Sequence, residues 1–246
     1  MAFVSITHTK TEAKEPKSKK SPAETVRRMN PPGVLSHMHR FLFLLALLGL
    51  TAPVALAQEK PPASSKTAVF AGGCFWCMQP SYDQAKGVIK TVVGYTGGSE
   101  ADANYQKVSA HQTKHREAIE VTYDPAQISY DQLLDIFWRQ INPTQADGQF
   151  HDIGLSYQAA IFYGSEEEKA AAEASKDKLG KSGKFSKPIV TEILPALKFY
   201  PAEDYHQKYY LKNRADYEAY HVGSGRVSFL EKIWGPPSGK YAPADF

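Results

Sequence analysis

Two cysteines, Cys74 and Cys77, are the residues whose type and spacing best suit chemistry. They are the only two cysteines in the 246-residue sequence, and they lie three positions apart in the run GGCFWC. Because Gly72 and Gly73 permit a sharp turn after an apolar run, Cys74 is predicted at the N-terminus of a helix. Free N–H groups and the helix dipole favour a thiolate there, and Cys77 lies one helical turn away.

Other interpretations of this cysteine pair are structural. A disulfide across three residues closes too small a loop to stabilise a fold much. A structural zinc site needs two more good ligands, and the sequence has no second C-x-x-C. Two buried, inert cysteines are the remaining alternative. The C-x-x-C motif itself favours redox or nucleophilic chemistry.

The elements that position the pair alternate between strands and helices. Strands are predicted over residues 67–71, 88–95, 118–123, 157–163 and 189–193. Helices are predicted over residues 74–86, 132–140, 166–180 and 201–211, the second of them capped by Ser129. This order, without an internal repeat, predicts an α+β fold: a single two-layer α/β sandwich domain over residues 67–235, with a mixed sheet flanked by helices and a long coil at the C-terminus.

Composition and charge exclude several classes of protein. With 42% apolar and 22% charged residues, the chain is neither disordered nor a polytopic membrane protein. Residues 1–57 hold eight Lys and Arg against three Glu, which leaves 21 basic and 23 acidic residues from position 58 onward. That balance gives no basic footprint for nucleic acid. No dinucleotide-binding or H-E-x-x-H motif occurs, so we expect no cofactor and no metal.

The first 57 residues are predicted to be an N-terminal extension with a signal peptide. A basic stretch ends at Arg40, an apolar h-region covers residues 41–50, and an A-x-A site covers residues 55–57. A membrane anchor is the alternative, but the apolar run falls short of the ~20 residues that span a bilayer. Translation could begin at Met1 or at Met38. We expect cleavage after Ala57, so that the mature protein is exported to the periplasm and is not attached to the membrane. In the mature chain, residues 58–66 are expected to be a flexible leader and residues 236–246 a loose tail.

Beyond the cysteines, a long run of sequence is similar to one enzyme family. Residues 68–98 closely resemble the A-type peptide methionine sulfoxide reductases, whose signature G-C-F-W-[GC] is followed by G-Y-x-G-G. Further blocks follow in the family's order: NYQKV (104–108), HRE (115–117), DP (124–125), QFHDIGLSY (149–157) and FYPAEDYHQ (199–207). The resemblance covers residues 67–217. It implies reduction of the S epimer of methionine sulfoxide, free or in proteins, as repair of oxidative damage.

The resemblance also implies roles for individual residues. Cys74 would attack the sulfoxide sulfur as a thiolate and become a sulfenic acid. Glu117 would be the general acid, which requires a raised carboxyl pKa and hence a desolvated pocket. Without the resemblance, Glu117 is better interpreted as a solvated charge at the end of a strand.

Aromatic and acidic residues would complete the pocket. By resemblance, Tyr105 and Tyr157 would donate hydrogen bonds to the sulfoxide oxygen. Phe75 and Trp76 would form an apolar box for the substrate methyl group, and Asp152 and Tyr217 would help to bind the substrate. Tyr217 aligns less securely, since its surroundings (RADYEAY) depart from the family's Gly-rich ending. Packing in the core is the alternative role for each aromatic residue.

The recycling step distinguishes this sequence from many relatives. Many family members carry recycling cysteines near the C-terminus, and this chain has none after Cys77. Either Cys77 resolves the sulfenic acid, or an external thiol does so directly. By resemblance, the reductant would be thioredoxin or a thioredoxin-like protein, and we expect a monomer.

Two other functions remain open from the residues alone. One is a thioredoxin-like thiol-disulfide oxidoreductase that uses Cys74 and Cys77. The other is a non-catalytic module that binds ligands in an aromatic pocket.

Overall fold

The structure is a computed structural model that describes residues 64–236. Its strands are β1 (Lys66–Ala71), β2 (Val88–Thr96), β3 (Arg116–Tyr123), β4 (Gly148–Gln149), β5 (Asp152–Ile153), β6 (Ala160–Tyr163), β7 (Glu192–Pro195) and β8 (Phe199–Pro201). Its helices are α1 (Phe75–Asp83), α2 (Tyr105–Ser109), α3 (Tyr130–Trp138), α4 (Glu166–Lys181), α5 (Tyr209–Lys212), α6 (Arg214–Gly223) and α7 (Arg226–Trp234). Two 3₁₀ helices cover Glu100–Asp102 and Leu155–Tyr157. The predictions for residues 1–57 and for nearly all of the leader and the tail lie outside the described residues.

Six of the strands form one mixed sheet. Their order is β7-β6-β1-β3-β2-β8, and β6 and β7 run parallel while the other neighbours are antiparallel. The short strands β4 and β5 pair separately. Helices flank the mixed sheet, which confirms the predicted α+β class. Among residues 64–236, no helix combines the length and the apolar character that a bilayer crossing requires.

The main core lies between this sheet and helices α1, α3 and α4. Successive side chains of a strand point to opposite faces, so Phe70 of β1 points into the core while Ala71 joins a smaller cluster on the other face. The Phe70 ring stacks on Tyr82 of α1 and on Phe137 of α3, with centroids 5.5 and 5.4 Å apart. These contacts hold α1 against the sheet and therefore fix where its first turn lies.

The predicted helix over residues 201–211 is wrong. Pro201 instead ends strand β8, turns follow, and only the short α5 is helical in this part of the chain. The side chain of Gln207 accepts a hydrogen bond from the Val93 amide (3.0 Å) and donates to the Val93 carbonyl (2.8 Å). Because this amide occupies backbone groups of β2, it holds the turns against the sheet and opposes a continuous helix.

The predicted long C-terminal coil is also corrected in part. Between α4 and α5 the irregular chain is interrupted by the short strands β7 and β8, and α6 and α7 carry helical structure to Trp234. Gly223 and Gly225 masked the two helices in the sequence, because glycine usually ends a helix. Gly225 lies between α6 and α7 with a φ of +82°, and α6 ends just before it.

Other predicted elements differ mainly at their ends. Helix α1 ends at Asp83 rather than at residue 86 and contains Pro80. The strand predicted over residues 157–163 begins only at Ala160, and Tyr157 instead ends a 3₁₀ helix. The cap at Ser129 is confirmed, and it forms a capping box with Gln132 at the start of α3.

We predict that Phe70→Ala lowers the free energy of unfolding by about 3–5 kcal/mol, because it removes a ring from between two helices and leaves a cavity. Denaturant unfolding at neutral pH measures this change. Ile89→Ala is the matched control, since Ile89 is 40% exposed and lies outside the main core. A loss below 1 kcal/mol in Phe70→Ala would show that the core between sheet and helices is not packed as described.

Candidate active site

The cysteine pair follows a glycine turn at the end of β1. Gly73 has a φ of +81°, and a Cβ at this position would lie 2.6 Å from Cβ of Gln149. A larger residue would be both strained and obstructed there. Cys74 is the N-cap of α1, and the Cys77 amide donates to the Cys74 carbonyl over 3.1 Å. The two thiols lie within hydrogen-bonding distance of each other.

Both cysteines are reduced and buried, each with 4% of its surface exposed. Burial raises the pKa of Cys74 well above its ordinary value, and the hydrogen bond with Cys77 raises it further. That hydrogen bond lowers the pKa of Cys77, assisted by the charge of Arg226. The sequence predicted a thiolate at Cys74 from the helix dipole. In the structure, burial raises the pKa of Cys74 and so favours its neutral thiol at rest.

Glu117 lies on β3, beside the first turn of α1. It is 2% exposed, and one of its carboxyl oxygens accepts a hydrogen bond from the Phe75 amide over 3.0 Å. Burial raises the carboxyl pKa well above its ordinary value, and the neighbouring Cys74 raises it further. The interpretation of Glu117 as a solvated charge is therefore wrong. The side chain lies in the desolvated pocket that a proton-donating carboxyl requires.

Tyr105 and Tyr157 lie on different elements near this carboxyl. Tyr105 begins α2, and Tyr157 ends the second 3₁₀ helix. Burial raises the pKa of Tyr105 to about 12 and also raises that of Tyr157, and both phenols are close enough to Glu117 and Cys74 to feel their charges. Both phenols therefore keep their protons at neutral pH and can donate hydrogen bonds.

Asp152 on β5 connects to the cysteines through a tyrosine that the sequence analysis did not single out. The phenol of Tyr220 donates to the Asp152 carboxylate over 2.5 Å and also lies within hydrogen-bonding distance of Cys74. Burial raises the pKa of Tyr220, so this phenol stays protonated. Asp152 thus holds Tyr220 beside the sulfur of Cys74.

The other three aromatic residues predicted for the pocket also lie near the cysteines. Tyr217 is 1% exposed and packs with both cysteines. Phe75 is buried against Tyr95, whereas Trp76 is half-buried. The Trp76 indole donates to Nδ1 of His206 over 3.0 Å and stacks on Tyr209 at 3.9 Å. Phe75 therefore packs mainly in the core, and Trp76 is the more accessible of the two rings.

Sequence reasoning missed three residues on the last two helices. Tyr220, His221 and Arg226 all lie near the cysteine pair. A signal existed in the spacing of Tyr217, Tyr220 and His221, which are three and four positions apart and so share one helix face. No helix was predicted there, so the shared face was not recognised.

The arrangement can bring a sulfur nucleophile and a proton donor to two bonded atoms of one substrate group. A carboxyl held in its acid form, the three phenols of Tyr105, Tyr157 and Tyr220, and the buried thiol of Cys74 lie close together. Within residues 64–236, no group of three or more His, Cys, Asp or Glu side chains is placed to hold a metal ion. Attack by sulfur with proton donation to oxygen is the chemistry that this donor set supports.

Comparison with known proteins decides the family. The family model described as "Peptide methionine sulfoxide reductase" matches residues 66–237. The chain belongs to the peptide methionine sulfoxide reductase family. Its resemblance to the A-type enzymes is confirmed by a peptide methionine sulfoxide reductase MsrA of Bacillus pumilus, which is 53% identical over 171 residues, 70% of this chain and 96% of that protein. An MsrA of Listeria monocytogenes is 51% identical over 171 residues, 70% of this chain and 97% of that protein.

Solved structures agree with this assignment. The reductase is similar to reduced Mxr1 of Saccharomyces cerevisiae, with a TM-score of 0.58, 32% identity and coverage of 63% of this chain and 90% of that chain. It is also similar to methionine sulfoxide reductase A of Corynebacterium diphtheriae, with a TM-score of 0.56, 31% identity and coverage of 65% and 81%. The reductase is a peptide-methionine (S)-S-oxide reductase, an oxidoreductase that reduces methionine sulfoxide and repairs oxidised protein. These similarities do not favour a thioredoxin-like oxidoreductase.

We predict that Glu117→Gln removes a pH dependence from the stability of the reductase. The unfolded carboxyl ionises near its ordinary pKa of 4.5, whereas the folded one keeps its proton to higher pH. The wild-type free energy of unfolding should therefore fall as pH rises from about 4.5 to the raised pKa, by at most about 1.4 kcal/mol per pH unit. Glu117→Gln should lose this slope.

The measurement is denaturant unfolding between pH 5 and 8, with Glu166→Gln as control because Glu166 is an exposed carboxyl at the start of α4. Parallel stability curves for the wild type and Glu117→Gln would contradict a carboxyl that stays protonated in the folded state.

Proposed function

We propose that Cys74 is the nucleophile of methionine sulfoxide reduction and that Glu117 is its general acid. The observation that carries this proposal is the convergence of the buried Cys74 and Glu117 with the half-buried Tyr105 and Tyr157. The carboxyl and both phenols are held in their acid forms there, which is the state needed to protonate or hydrogen-bond a sulfoxide oxygen.

The first half-reaction follows from these protonation states. Glu117 donates its proton to the sulfoxide oxygen while the sulfur of Cys74 attacks the sulfoxide sulfur. The thiol proton of Cys74 returns to Glu117, methionine leaves, and the oxygen remains on Cys74 as a sulfenic acid. Tyr105 and Tyr157 stabilise the oxygen as negative charge develops on it.

The substrate side chain is held by the residues around the cysteine. Phe75 and Trp76 form the apolar wall for the methyl group, and Trp76 supplies the accessible face. Asp152 acts through Tyr220, whose phenol it holds beside Cys74. Tyr217 closes the pocket from α6.

Recycling of the sulfenic acid proceeds through Cys77. Its thiol lies beside Cys74 in the first turn of α1, and it is the only other cysteine of the chain. Condensation forms a Cys74–Cys77 disulfide and releases water. A disulfide within a C-x-x-C motif suits reduction by thiol-disulfide exchange, so thioredoxin or an exported thioredoxin-like protein is the proposed reductant. The reductase acts as a monomer and needs no cofactor.

The reductase is also proposed to act outside the cytoplasm, in the periplasm. The support is the sequence alone: an apolar stretch over residues 41–50 followed by an A-x-A site over 55–57.

We predict different losses for the two cysteine variants. Cys74→Ser should abolish reduction of the S epimer, because no nucleophile remains. Cys77→Ser should still release one methionine per enzyme in a single turnover, but its steady-state rate with thioredoxin should fall at least tenfold. Dithiothreitol should restore Cys77→Ser, since a small thiol can reach the sulfenic acid directly. The measurement is methionine release from each sulfoxide epimer.

Intact mass after one turnover separates the possible outcomes. Oxidised wild type should be two hydrogens lighter than the reduced protein. Methionine release by Cys74→Ser would exclude Cys74 as nucleophile. Normal turnover of Cys77→Ser with thioredoxin would exclude Cys77 as the resolving thiol.

We predict that the mature chain begins at Gln58 when an exporting host makes the protein. N-terminal sequencing of the periplasmic fraction tests this, and replacing Ala55 and Ala57 by bulky residues should block processing. Protein in the cytoplasm that retains Met38 would contradict export.

A further inference from the structure

His221 contacts the resolving thiol from the C-terminal part of the chain. Its Nδ1 lies 3.3 Å from the sulfur of Cys77, although 144 residues separate the two. The imidazole stacks on Tyr217 with ring centroids 5.3 Å apart, so its orientation is fixed by a neighbour on the same helix. A ring nitrogen at this distance can accept the proton of a thiol.

The surroundings keep this imidazole neutral. Burial lowers the pKa of His221 to about 4, and the positive charge of Arg226 on α7 contributes. A neutral imidazole can serve as a proton acceptor at any pH above that value. The other ionisable groups near the thiol pair are carboxyls and phenols: Glu117 from β3, Asp152 from β5, Tyr105 from α2, Tyr157 from the second 3₁₀ helix, and Tyr217 and Tyr220 from α6 itself.

We propose that His221 is the general base of the recycling step and takes the proton from Cys77 as this thiol attacks the sulfenic acid of Cys74. This inference rests on the proposed resolving role of Cys77. It assigns a catalytic contact to a residue that the reduction of the sulfoxide itself does not use.

The step balances without a further reactant. The sulfur of Cys77 forms a bond to the sulfur of Cys74, and the S–O bond of the sulfenic acid breaks. The hydroxide that leaves takes up one proton and departs as water. His221 accepts the Cys77 proton and gives up a proton in turn, so it ends the step neutral.

A base is needed here because the first half-reaction consumes the Cys74 thiol, whose hydrogen bond lowers the pKa of Cys77. In the reduced protein, the hydrogen bond from the Cys74 thiol is the largest influence that lowers the pKa of Cys77. Once Cys74 carries the oxygen, that thiol no longer exists, and burial favours the neutral form of Cys77. In the reduced protein, His221 already contacts the sulfur of Cys77, so a proton acceptor is in place for this step.

The experiment compares two rates after one equivalent of sulfoxide is mixed with the full-length protein. Rapid quenching reports methionine release, and alkylation with intact mass reports disulfide formation. In His221→Asn, the ratio of the disulfide-forming rate to the methionine-releasing rate should fall about 100-fold at pH 6, the lower end for loss of a general base. Val222→Ala is the matched control, because Val222 adjoins His221 on α6 but is 64% exposed. It should keep the wild-type ratio.

Two readouts separate proton transfer from a structural role. Wild-type disulfide formation should be flat from pH 5 to 8, whereas that of His221→Asn should rise about tenfold per pH unit, because the variant depends on spontaneous thiolate formation. Added imidazole should restore disulfide formation in His221→Ala and leave Val222→Ala unchanged.

The outcomes distinguish this inference from the proposed function. A wild-type ratio and a flat pH profile in His221→Asn would overturn the base role, as would failure of imidazole to rescue a His221→Ala protein that still releases methionine. Wild type that releases methionine but never forms the disulfide would overturn the resolving role of Cys77 and the base role together. Wild type that releases no methionine would overturn the proposed nucleophile instead.

Discussion

Removal of water from the space between β3 and the first turn of α1 determines most of the properties of this site. Glu117 enters that space from the sheet and is joined to the helix by a single hydrogen bond from the Phe75 amide. One amide cannot replace the hydration of a carboxylate, so the side chain keeps its proton. The same desolvation makes Cys74 a thiol at rest. A protonated carboxyl beside a protonated thiol is stable until a sulfoxide arrives that can accept the proton.

Helices α6 and α7 help to exclude water from this region. Arg226 of α7 is buried, donates to the carbonyls of Gly72 and Gln140, and lies over the ring of Phe150. A buried guanidinium is tolerated only where such acceptors surround it. It therefore ties the glycine turn that presents Cys74 to the segment that carries His221. The reactive pair is thus held between β1 and α7.

How much the sequence predicted depended on whether the determining contact was local. Strand β2, the cap of α3 and the helix α4 follow from alternation, a capping serine and a run of helix-forming residues, and these signals lie within a few positions. The turns at residues 202–207 could not be predicted in this way, because Gln207 bonds to Val93, 114 positions away. The same limit applied to the site. The glycines and spacing around Cys74 were readable, whereas the burial that raises the pKa of Glu117 and the approach of His221 to Cys77 depend on distant segments.

The contact between Arg226 and the Gly72 carbonyl spans 154 positions, almost the whole of the described domain. Chains are made from the N-terminus, so the ribosome produces Gly72 and both cysteines long before it produces this arginine. A nascent chain, or one cleaved before α7, would contain all the strands of the sheet and both thiols. It would lack the group that closes the turn beneath Cys74. Because this hydrogen bond joins residues so far apart in the sequence, the turn that carries the thiol pair cannot be closed until synthesis of the domain is nearly complete.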